Sequence, residues 1–138
     1  MSAGSEAAAK GYQARREGNL SSAREYYADA AKLHREHGEI LAYAHTIRHV
    51  ADIYQQEHNP TAAKLLYEEA LEIYRGNLDT KLLDLANTVR PYALLVEEQG
   101  SPALALKLWE EAKSLYSSLR IEPGVTECSK HVAHLQQS

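Results

Sequence analysis

Residues 40–74 laid over residues 82–116, a shift of 42, match too well for chance. The shift brings Ala44-His45-Thr46-Ile47-Arg48 over Ala86-Asn87-Thr88-Val89-Arg90, and Pro60 over Pro102. Glu68-Glu69-Ala70 falls over Glu110-Glu111-Ala112, and twelve of the 35 aligned pairs are identical. A chain built this way is a repeat array, in which each unit hides its apolar side only by stacking on the next.

Each copy reads as a pair of helices. Ile40, Tyr43, Ala44, Ile47, Val50, Ala51 and Tyr54 recur every three or four residues, the apolar stripe of a helix. Asn59 then stands as an N-cap, with Pro60 at the first helical position, where a missing N–H does no harm. A second stripe follows at Ala63, Leu66, Tyr67, Ala70, Ile73 and Tyr74, and Gly76-Asn77 stops it. The next copy runs from Leu82 to Val96, through Gly100-Ser101-Pro102, and from Ala105 to Tyr116.

These positions resemble the tetratricopeptide repeat, whose signature pairs large, small and aromatic residues at fixed places in two helices. Here they are Ile47, Val50-Ala51, Tyr54, Ala63, Tyr67 and Ala70, then Val89, Tyr92-Ala93, Val96, Ala105, Trp109 and Ala112. The small residues let two helices approach while the aromatics fill the space beside them. The repeats exceed the usual 34 residues, and Arg75 and Ser117 stand where the family places a closing proline. In their length they resemble the 42-residue form of kinesin light chains. The resemblance implies an all-α, right-handed solenoid of three hairpins plus a capping helix, about seven helices in one domain, 1–138. Its repeats are expected at about 4–37, 39–77 and 79–119, with the cap at about 124–136.

The first repeat is degenerate: Ala23, Tyr27 and Ala30 match Ala63, Tyr67 and Ala70 at a shift of 40. Its first helix, about 5–17, sets Ala7, Lys10, Gly11 and Ala14 where later copies carry large apolar residues. A thin, polar outer helix suits a cap, although a docking face for a second copy would look the same. Pro123-Gly124 are expected to break the chain before a last helix at 125–136, where Lys130-His131-Val132-Ala133 echoes Arg48-His49-Val50-Ala51. Pro91, well inside a predicted helix, removes the bond to the Asn87 carbonyl and predicts a kink or bulge there.

At 138 residues the chain suits one domain burying roughly two thirds of its unfolded surface. A net charge of −4 speaks against nucleic acid as partner. The single cysteine, Cys128, suits a reducing compartment and a buried apolar role. No apolar run is long enough to span a membrane or serve as a secretory signal, so a cytoplasmic location is expected.

No phosphate loop, nucleophile elbow or HExxH is present, so no catalytic residue and no cofactor is expected. His45 with His49, and Cys128 with His131 and His134, have spacings able to contribute to a zinc site. Each set lacks converging ligands and reads instead as solvated surface or core. Glu68-Glu69 and Glu110-Glu111 are expected on solvated outer faces.

In the resembled family, the first helices line a concave groove with their residues outside the core. Matching positions are Tyr12, Arg15 and Arg16, then His45, Arg48, His49, Asp52, Gln55 and Gln56. Asn87, Arg90, Leu94, Glu97 and Glu98 follow, with Lys130, His131 and His134 from the last helix. Arg48, Arg90 and Lys130 share one register, which suits an acidic peptide gripped by arginine, or simply a solvated face. Members that hold a chaperone's C-terminal carboxylate use lysine, asparagine and arginine. Here those places fall to Ala8, Tyr12, His49, Asn87 and Pro91, so that clamp is not expected. The expected function is a non-enzymatic protein-interaction module, monomeric or dimeric through its terminal helices. Self-assembly and a histidine-based sensor are the alternatives.

Overall fold

A computed structural model describes residues 2–137. Among these lie seven helices and no strand: α1 (Ala3–Arg16), α2 (Leu20–Glu36), α3 (Ile40–Gln56), α4 (Pro60–Arg75), α5 (Leu82–Glu98), α6 (Pro102–Ser118) and α7 (Glu122–Gln136). They form two compact units, Met1–Asn77 with α1–α4 and Leu78–Ser138 with α5–α7.

Within each unit consecutive helices pack as antiparallel neighbours, and alanines mark where they cross. Ala23, Ala30, Ala44, Ala51, Ala63 and Ala70 are fully buried in the first unit. Ala86, Ala93, Ala105 and Ala112 repeat the device in the second. Beside them the large side chains fill the gaps, led by Tyr67 and Ile53 in one unit and Trp109 and Leu95 in the other.

Helix α1 packs on α2 through its smallest residues. Gly4, Gly11 and Ala14 face inward. A Cβ on Gly4 would lie 2.6 Å from the His34 ring, and one on Gly11 2.9 Å from the Tyr27 ring. The two glycines therefore let α1 lie close against the aromatic residues of α2. The C-terminal boundary also differs from expectation. Pro123 and Gly124 sit in the first turn of α7 instead of before it, because proline is tolerated where no intrahelical N–H bond is due. Helix α5 stays α-helical through Pro91.

Five tight turns share one geometry. The N–H groups of Asn19, Glu39, Asn59, Ser101 and Ile121 each reach back five residues, to the carbonyls of Ala14, His34, Tyr54, Val96 and Tyr116. This six-to-one closure needs a left-handed residue just before it. Gly18, Gly38 and Gly100 supply it at three turns, but His58 (φ 60°) and Arg120 (φ 57°) must at the other two. An L side chain there costs about 1 kcal/mol or more. His58→Gly and Arg120→Gly are each expected to stabilise the protein by about 0.5–1 kcal/mol. Urea unfolding checks this, and a lower midpoint for both variants would contradict it. At the α4–α5 connection the Gly76 N–H bonds back to the Glu72 carbonyl and the Asn77 N–H to the Tyr74 carbonyl, and Leu78 is fully exposed.

Candidate protein-binding surface

In the Met1–Asn77 unit, α1 and α3 carry most of the residues singled out from the sequence. Arg15 donates through Nε to Gln56 at 2.8 Å, and Arg16 lies over the exposed Tyr12 ring. Arg48 donates to Asp52 at 2.8 Å, one turn along α3. The other oxygen of Asp52 accepts the Tyr67 hydroxyl from α4 at 2.5 Å, so the carboxylate that holds Arg48 is itself held by a fully buried residue. Burial, then the neighbouring Asp52 charge, pushes the Tyr67 hydroxyl far above its usual range, and it stays a donor.

The histidines are aromatic packing units. His49 stacks on Tyr27 with ring centroids 5.1 Å apart and planes 6° apart, and His45 meets it edge-on at 4.7 Å. Two buried polar atoms here have no hydrogen-bond partner, Arg48 Nε and His49 Nδ1. Burial, helped by the charges of Arg48, His45 and Arg15, holds His49 down at about 3.

That depression has a sign. The folded chain refuses a proton that the unfolded chain accepts near pH 6.5, so the His49 contribution is complete above pH 6.5 and is lost as pH falls towards 3. Relative to His49→Phe, the wild type is expected to lose at most about 1.4 kcal/mol per pH unit across that window. Unfolding both proteins in urea at pH 7 and pH 5 tests it; equal losses would count against a buried neutral imidazole.

In the Leu78–Ser138 unit most of the predicted residues are hydrogen-bonded to side chains of the same unit. Asn87 accepts the Tyr116 hydroxyl at 2.7 Å, and Arg90 grips Glu127 of α7 through Nε and Nη2. Glu97 accepts from Trp109 Nε1 at 2.7 Å and bonds His131 at 2.9 Å. His131 stacks on the Trp109 ring at 3.9 Å. Leu94 is half-buried and Lys130 exposed. Of the cations sharing one register, Arg48 is paired within its own helix and Arg90 with Glu127 of α7.

Among the described residues no three or more His, Cys, Asp or Glu side chains gather to hold a metal. Cys128 is fully buried, and burial first pushes its thiol up to about 11. Glu69, expected on a solvated face, accepts the Tyr43 hydroxyl at 2.6 Å. Glu127 escaped the sequence reading, although it stands three residues before Lys130 in the register of Asn87 and His45. No described helix is long and apolar enough to cross a membrane.

The seven described helices, crossing in pairs with small residues between and polar side chains presented from first helices, form a tetratricopeptide-like helical repeat, a fold of protein-interaction scaffolds. Residues 6–138 match the family model for SNAP, the soluble NSF attachment protein, and the chain belongs to that family. Solved structures show the same fold. The N-terminal domain of stress-induced protein-1 (STI-1) from C. elegans superposes with a TM-score of 0.72 at 16% identity, over 94% of each chain. BtubC (BKLC) from P. vanneervenii gives 0.70 at 17% identity, over 97% of this chain and 63% of that one. No curated protein is matched in sequence.

Proposed function

We propose that this protein is a non-enzymatic interaction module of the cytoplasm, and that the α1/α3 face of the Met1–Asn77 unit docks an extended or helical acidic segment of a protein partner. One observation carries the reading: Asp52, itself bonded by the Tyr67 hydroxyl, holds Arg48 in place while Arg48 stays partly exposed. Arg15 and Arg16 stand on the same face of a chain whose net charge is −4. A fixed arginine loses little freedom when it binds a carboxylate, which favours recognition over mere solvation. The family's name, soluble NSF attachment protein, supports a protein partner over a small molecule. The 42-residue offset supports reading the repeats as the long form resembling kinesin light chains. In the second unit Asn87, Arg90, Leu94, Glu97, Lys130 and His131 are proposed as a separate patch.

Titration of a glutamate-rich peptide at rising salt tests the face. Arg48→Glu is expected to weaken binding at least about 10-fold. The half-buried Arg15→Glu, which spares the Asp52 pair, should weaken it in the same direction. Unchanged affinity in both variants would discard the assignment.

A further inference from the structure

A cavity of about 430 Å³ opens on the Leu78–Ser138 unit where α5, α6 and the start of α7 come together. Asn87 and Arg90 line it from α5, Tyr116 from α6, and Gly124 and Glu127 from α7. Gly124 lets α7 begin flat against Tyr116, since a Cβ there would lie 2.6 Å from the ring. The Tyr116 hydroxyl occupies the Asn87 side-chain oxygen, which leaves the Asn87 amide hydrogens for another acceptor. Arg90 commits Nε and Nη2 to the two oxygens of Glu127. The donor set of this cavity, a guanidinium fork beside an amide N–H, is that of a carboxylate site, and a carboxylate of the same chain stands in it.

We propose that the cavity takes an acidic side chain of a protein partner, and that Glu127 occupies Arg90 as an internal stand-in until that side chain exchanges for it. The partner's acidic character is shared with the proposed function, but the surface is a different one. Two features make the exchange cheap. The Arg90 and Glu127 side chains are 45% and 34% exposed, so water screens their two-point contact and limits what it contributes to stability. Helix α7 is also anchored elsewhere, by buried Cys128 and Val132 and by His131 on Trp109 and Glu97. Glu127 can therefore swing aside while its helix stays seated. The fork geometry makes the site specific for arginine, because lysine offers a point charge and no paired contact.

The test is fluorescence anisotropy of a labelled, C-terminally amidated hexaglutamate peptide on the full chain. Glu127→Gln is expected to bind about 5-fold tighter than wild type, the worth of a wet ion pair removed. Adding Arg90→Gln should abolish the gain, and a peptide with a free C-terminus should bind no tighter than the amidated one. An unchanged near-ultraviolet signal from Trp109 in Glu127→Gln shows that α7 stays docked. Glu127→Asp, one methylene shorter, is expected to fall between wild type and Glu127→Gln. Equal or weaker binding by Glu127→Gln overturns the inference, as does a gain that survives Arg90→Gln. If Arg48→Glu leaves wild-type binding untouched while Glu127→Gln still gains, the α1/α3 reading fails and this one stands. If Arg48→Glu weakens binding and Glu127→Gln gains nothing, the reverse holds.

Discussion

Trp109→Ala is expected to destabilise the Leu78–Ser138 unit by about 3–5 kcal/mol, the cost of truncating a large core aromatic. Trp109 is fully buried and joins three helices. Its ring carries His131 of α7, and its indole N–H reaches Glu97 of α5, which also bonds His131. Truncation thus leaves a cavity in α6, a half-buried carboxylate with one donor fewer, and an imidazole with nothing to stack on. Trp109→Phe restores part of the ring but not the N–H, so it should recover only part of the loss. Urea unfolding followed by far-ultraviolet circular dichroism measures both. A loss below about 1 kcal/mol for Trp109→Ala would mean that α7 is held by something other than this cluster.

The second large effect belongs to Asp52. Asp52→Ala removes the counter-charge of Arg48, whose side chain is only 15% exposed, and takes the acceptor from the Tyr67 hydroxyl. Leaving a mostly buried charge and a buried hydroxyl less well satisfied costs about 2–4 kcal/mol. The third repeat suggests the remedy, since Leu94 stands at the position equivalent to Asp52. The double variant Arg48→Met/Asp52→Leu, free of charge, should regain most of the stability. It should nevertheless lose the acidic peptide. Stability and binding then separate, which distinguishes an arginine kept for recognition from one kept for the fold. A double variant as unstable as Asp52→Ala would show that the pair serves mainly to hold α3 on α4.

Much of the fold was legible because helical periodicity and small residues act locally. Ala44, Ala51, Ala63 and Ala70 announce close crossings, and Asn59-Pro60 opens α4 as its residue types require. At Gly11 the sequence shows a missing side chain, but its cause lies across the crossing, in the Tyr27 ring, which no local pattern reveals. Pro123-Gly124 misled: proline reads as a breaker but is equally at home in a helix's first turn. The candidate surface was legible only as positions. The register of α1, α3, α5 and α7 selected Arg48, Arg90 and His49. That Arg90 would meet Glu127, or that His49 would lie on Tyr27, depends on how neighbouring helices slide past each other. Such pairings follow from packing between elements, and a single sequence does not encode them in its spacing.

The claim most exposed to refutation is that first-helix residues of the Met1–Asn77 unit, and not its second helices, receive the partner. Amide hydrogen exchange with and without the hexaglutamate peptide measures this directly. Added protection is expected at residues 12–16 of α1 and 45–56 of α3. Protection confined to α2 and α4, with α1 and α3 unchanged, would contradict it.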